Sequence, residues 1–154
     1  MKLQLKNSLA SKNDFVALAL WRSLHANAFA ADDLNKLHLQ MQRVDIVGEP
    51  AWRLARMGDA GAAIGVAIRV GIKKRCAPQV VDLAMSAVLA SAMKGDCAAR
   101  HFLAHMLEKR GANSLADSWI AANRSAALNA PLARVKSAQR QQPSSFVESS
   151  RTHG

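Results

Sequence analysis

Ala55-Arg56-Met57-Gly58-Asp59 and, thirty-seven positions later, Ala92-Met93-Lys94-Gly95-Asp96 are two versions of one helix-ending phrase. In each, glycine can take the left-handed backbone that closes a helix, and aspartate can cap the helix that follows. The pair therefore reads as the tight turn of a helical hairpin. The echo runs on beyond the turn, since Ala62 matches Ala99, Val66 matches Leu103, Ala67 matches Ala104 and Val70 matches Leu107. Small and large apolar residues thus recur on one face of both helices, a pattern that lets neighbouring helices approach closely.

Each of these helices is followed by a polar break, Gly71 to Ala77 in the first copy and Arg110 to Ser114 in the second, and then by another helical run. The run opened by Pro78 carries Val81, Leu83, Ala84, Ala87, Val88 and Ala92, and the run opened by Leu115 carries Trp119, Ala122 and Ala126. Two helices per repeated unit is the grammar of a solenoid. Upstream, Phe15, Leu18, Trp21, Leu24 and Ala28 have the spacing of a first amphipathic helix, and Asp32 and Asp33 mark the start of a second that ends near Val44. Downstream, Pro131 interrupts the pattern and residues 139–154 are rich in Ser and Gln.

The expected fold is all-α, with antiparallel helical hairpins stacked as a short solenoid-like bundle of about seven helices and no sheet. Its parts are a flexible leader (1–10), one helical domain (11–138, with units at about 58–94 and 95–128) and a disordered tail (139–154). Composition agrees. Thirty alanines and seventeen leucines stand against ten valines, five isoleucines, one threonine and no tyrosine, which leaves too little β-branched and aromatic material for a sandwich or barrel. At 154 residues the chain can bury one core.

The motif A-x-x-G-D-x-x-A-x-x-x-(V/L)-A-x-x-(V/L), at 55–70 and again at 92–107, resembles the Sel1-like subfamily of tetratricopeptide-type helical repeats. Ala67 and Ala104 stand where that family usually has glycine, and Val70 and Leu107 where it usually has an aromatic residue. The resemblance implies a protein-binding scaffold without chemistry of its own. An ordinary antiparallel bundle would carry the same helices.

Charge supplies the second clue. Twenty-one Lys and Arg against eleven Asp and Glu give a net +10, which attracts polyanions or an acidic protein face. Arg69, Lys73, Lys74 and Arg75 form a run without an acid, and Lys109 and Arg110 fall in the second unit's break. In a stacked pair of units these six cations would share one basic edge. The first functional expectation is a helical adaptor that binds a protein partner, acidic in character, in a groove between helix pairs. The alternative is a basic module that binds nucleic acid or another polyanion.

Cys97, His101 and His105 follow one another at four-residue intervals, the one constellation of potential metal ligands. One helix offers at most two well-placed ligands, so no metal, cofactor or catalytic residue is expected, and no P-loop, dinucleotide fingerprint or nucleophile elbow occurs. Two cysteines make no disulfide framework, and the apolar run Phe15 to Trp21 is too short for an export signal. No stretch approaches the roughly 18 apolar residues of a membrane span, so a cytoplasmic chain is expected.

Overall fold

A computed structural model describes residues 5–6, 18–72 and 76–138 of the chain. They form an all-α fold of six α-helices: α1 (Ala31–Gln42), α2 (Trp52–Arg56), α3 (Ala60–Ile72), α4 (Pro78–Met93), α5 (Cys97–Glu108) and α6 (Asn113–Ala138). Strand pairing among the described residues is limited to two positions, where β1 (Leu5–Lys6), inside the segment read as a leader, runs antiparallel to β2 (Asp45–Ile46). None of these helices is long and apolar enough to cross a membrane. The tail, 139–154, lies outside the described residues.

The fold is built around α4. Pro78 opens it at a position where no N–H is needed, and every residue from Asp82 to Ala92 is buried. A helix buried on all sides must be wrapped by others. Helices α1, α2, α3 and α5 and the turn at Leu20–Arg22 all pack against it, and α5 in turn packs against α6. The amphipathic neighbours contribute one stripe each: Ala63, Val66, Ala67 and Val70 from α3, and Ala99, Leu103, Ala104 and Leu107 from α5. Val66 and Leu103, Ala67 and Ala104, and Val70 and Leu107 are echoed positions, whereas the echo of buried Ala99 is the half-buried Ala62 and Ala63 beside it is the buried residue of α3.

The turns at Gly58 and Gly95 have the same geometry. Gly58 has φ +101° and Gly95 +99°. The Gly58 and Asp59 N–H groups donate to the carbonyls of Ala55 and Leu54, and the Gly95 and Asp96 N–H groups donate to those of Ala92 and Ser91. Both are Schellman endings. Asp59 Oδ1 then accepts from Ala62 N at 2.7 Å and Asp96 Oδ1 from Ala99 N at 2.8 Å, capping α3 and α5 alike. The α5–α6 junction repeats the ending without the aspartate, with the Gly111 and Ala112 N–H groups donating to Glu108 and Leu107. Gly95→Ala is expected to cost about 1–2 kcal/mol, the penalty for a Cβ in the left-handed region. Gly71→Ala should instead stabilise by up to about 1 kcal/mol, because Gly71 lies in helical backbone and a Cβ there meets nothing within 4 Å. Urea denaturation of the two variants checks the opposite signs.

Two sequence expectations change. The apolar spacing from Phe15 to Ala28 does not produce one helix through Ala28. Leu20–Arg22 and Ala26–Ala28 are separate 3-10 turns with extended backbone at His25 between them, and residues 11–17 lie outside the described residues. Ser23 Oγ donates to the Leu20 carbonyl at 3.2 Å, and Ala26 N–H donates to Ser118 Oγ at 3.0 Å, so local and tertiary bonds replace the helical ladder. At the other end, α6 continues past Pro131 to Ala138.

His38 on α1 is half-buried, and burial, reinforced by the Lys94 charge and opposed by a backbone hydrogen bond with Leu34, lowers its pKa from 6.5. A base with a depressed folded pKa leaves the unfolded chain binding more protons. Its contribution is therefore present above pH 6.5 and lost as pH falls through the folded value. His38→Gln should flatten the loss of thermal stability between pH 7 and 5, which melting curves across that range measure.

Candidate functional site: a groove between α3 and α5

Helices α3 and α5 are the first helices of the two echoed units, and they flank an open groove of about 440 Å³. One wall is Ala67, Ile68, Gly71 and Ile72, and the other is Phe102, His105, Met106 and Lys109. The buried stripe of α3 accounts for Ala63, Val66, Ala67 and Val70, so Ile68 and Ile72 are apolar residues beyond what the core uses. They are 44% and 73% exposed. Gly71 adds open space in the same wall. The thirty-seven-residue offset relates Ile68 to His105 and Ile72 to Lys109, so equivalent positions are apolar on one wall and basic on the other. Among the described residues no carboxylate lines the groove.

The six cations of the expected basic edge do not share one environment. Lys109 lines the groove. Arg69, on the same helix as Ile68 and Ile72, turns to Glu49, its Nε donating to Oε2 at 2.8 Å while the Glu49 carboxylate is almost fully buried. Arg110 lies with its guanidinium 4.7 Å from the ring centre of Trp21. Two of the three described cations are thus engaged by the fold. Lys73, Lys74 and Arg75 lie outside the described residues.

Other cations are also engaged within the fold. Arg22 pairs with Asp82 and Arg56 with Asp45, each at 2.8 Å. Asp82 additionally accepts from the buried Trp21 Nε1 at 3.0 Å, and Ser86 Oγ, one turn along α4, donates to the Leu18 carbonyl at 3.0 Å. This polar row on the core helix fastens the Leu18–Arg22 segment. Trp52 is similarly anchored, its Nε1 donating to the Val44 carbonyl at 2.8 Å, and Trp119 packs against Phe29 with ring centres 5.8 Å apart. All three tryptophans are core residues.

No protein-family model, curated protein or solved structure matches this chain. The site is therefore argued from its own chemistry. Cys97, His101 and His105 all face outward from α5, and among the described residues no three His, Cys, Asp or Glu side chains are grouped to hold a metal ion. A second concavity is lined by His25, Ala26, Asn27, Ser118, Ala121, Ala122 and Ser125, its apolar side chains all alanine.

Lys109, expected on the basic edge, stands at the C-cap of α5, and the sequence expectations did not include Ile68, Ile72, Phe102 and Met106. A signal for them exists. Ile64, Ile68 and Ile72 recur at four-residue intervals beside the stripe of Ala63, Val66, Ala67 and Val70, which makes α3 apolar over a wider arc than one core face requires.

Proposed function

We propose that the chain is a cytoplasmic helical adaptor that binds a segment of a partner protein in the groove between α3 and α5. The observation that carries this reading is the pair Ile68 and Ile72, exposed across from Phe102 and Met106 in a concave, acid-free surface. An apolar concavity of this kind gains by covering, since each Å² of apolar surface removed from water contributes roughly 25 cal/mol. The Sel1-like resemblance supports the same reading, because in stacked helical hairpins the equivalent helices of successive units form a common binding face.

The polyanion alternative draws on the +10 charge. It is the weaker reading, because Arg69 and Arg110 are engaged by Glu49 and Trp21.

Replacing Ile68 and Ile72 together by Asp should abolish capture of the partner from source-cell extract by the full chain. Both side chains are exposed, so stability should move by no more than about 1 kcal/mol. Capture should survive nuclease treatment and change little between low and physiological salt. Capture that vanishes with nuclease, or falls steeply with salt while the double variant behaves as wild type, would move the function to the polyanion reading.

A further inference from the structure

The groove carries more information than its apolar character. Lys109 and His105 both line it, and among the described residues no carboxylate does. Arg69, which could have reached the same wall, is neutralised by Glu49. Lys109 follows the last residue of α5, and Ile72 is the last residue of α3. Among the lining residues Lys109 is the one nearest the C-terminus of α5, as Ile72 is for α3, so the cation sits at the C-terminal end of the α5 wall. The sequence continues from Ile72 with Lys73, Lys74 and Arg75, three further positive charges.

The walls also limit the form of an occupant. Ile68 and Ile72, and Phe102 and Met106, are each spaced by one helical turn, about 6 Å. Away from the helix ends, the backbone N–H and C=O groups of both walls are paired within α3 and α5, and the lining offers only His105 and Lys109 as polar side chains. An extended segment laid here would bury backbone groups without partners, whereas a helix satisfies its own. At Gly71 the absent side chain lets a helical backbone approach closely.

From these observations we propose that the groove takes an amphipathic helix of the partner protein, one that presents two apolar side chains a turn apart and a carboxylate toward Lys109. The proposal rests on the adaptor reading and adds the chemical class of the partner. The apolar pair fills the space between Ile68, Ile72, Phe102 and Met106, and the carboxylate meets Lys109, which among the described residues has no carboxylate beside it in the lining. Charge at this rim selects the partner and speeds encounter more than it adds affinity.

The test is selection from a displayed library of randomised peptides, about 15 residues or four helical turns long, on the immobilised full chain. A selected peptide is then synthesised and its binding followed by fluorescence polarisation. Enriched sequences should carry apolar pairs at i and i+4 with an excess of Asp and Glu. Gly71→Leu, which fills the groove from a position with no neighbour within 4 Å, should weaken binding at least about tenfold, and circular dichroism should show the helices intact. Lys109→Glu should weaken it roughly 3- to 10-fold at low ionic strength and by much less near 0.5 M salt. Enriched peptides that are neutral or basic yet lose binding to Gly71→Leu would overturn the acidic-helix inference and leave the adaptor standing. Peptides that bind Gly71→Leu and an Ile72→Asp variant as well as wild type, or a selection that yields no binder, would overturn the adaptor reading itself.

Discussion

Asp82→Ala should lower the unfolding free energy by about 2–3 kcal/mol in urea denaturation. The residue lies on the core helix at 8% exposure and accepts two hydrogen bonds from outside that helix, Trp21 Nε1 at 3.0 Å and Arg22 at 2.8 Å. The two donors do not weigh equally. Trp21 is fully buried, so its indole N–H would be left without an acceptor, at a cost of about 1–3 kcal/mol. The Arg22 side chain is 42% exposed and can turn to water, which limits its share to that of a surface pair, about 1 kcal/mol or less. A double-mutant cycle with Trp21→Phe separates them: once the indole N–H is gone, Asp82→Ala should cost only the Arg22 share. Equal losses in both backgrounds would show that Asp82 acts through Arg22 alone. A conservative Asp82→Asn should retain the indole contact and lose less, because the amide oxygen still accepts.

That carboxylate illustrates what the sequence could and could not disclose. The helices were legible because their ends are written in local chemistry: Gly58-Asp59 and Gly95-Asp96 terminate and restart helices by rules that need only the neighbouring residues. The buried stripes followed from the same periodicity, and Ala67 and Ala104 are both buried as their shared register requires. Asp82, by contrast, stands sixty-one residues from Trp21, and nothing local marks it as the acceptor that fixes the N-terminal segment. The expected continuation of the first helix through Ala28 fails for the same reason. Its apolar spacing is genuine, but Ser118 takes the Ala26 N–H from ninety-two residues away, and tertiary bonds outweigh propensity there. The basic edge was read from sequence proximity, while the partners that absorb its cations, Glu49 for Arg69 and Trp21 for Arg110, come from distant segments.

Arg100→Ala should produce the other large loss, about 2–4 kcal/mol, by the same measurement. Arg100 is partly buried on α5, and among the described residues no carboxylate pairs with it. Its guanidinium donates instead to two main-chain carbonyls, Ala92 near the C-terminus of α4 at 3.0 Å and Ala122 in the middle of α6 at 3.2 Å. A cation suits the end of α4, where the helix dipole is negative and the Ala92 carbonyl takes a second donor beside the Gly95 N–H. One planar group therefore ties three helices together. Hydrogen bonds from a charged donor contribute roughly 1.5–3 kcal/mol each, and truncation would remove both, leaving the Ala92 carbonyl with the Gly95 N–H as its donor. Arg100→Lys separates geometry from charge: a single ammonium cannot span both carbonyls, so it should recover less than half of the loss. Full recovery by lysine would mean that only positive charge at the helix end matters. Full stability in Arg100→Ala would remove the residue from the set of cations engaged by the fold, and so return one positive charge to the surface that the polyanion alternative needs.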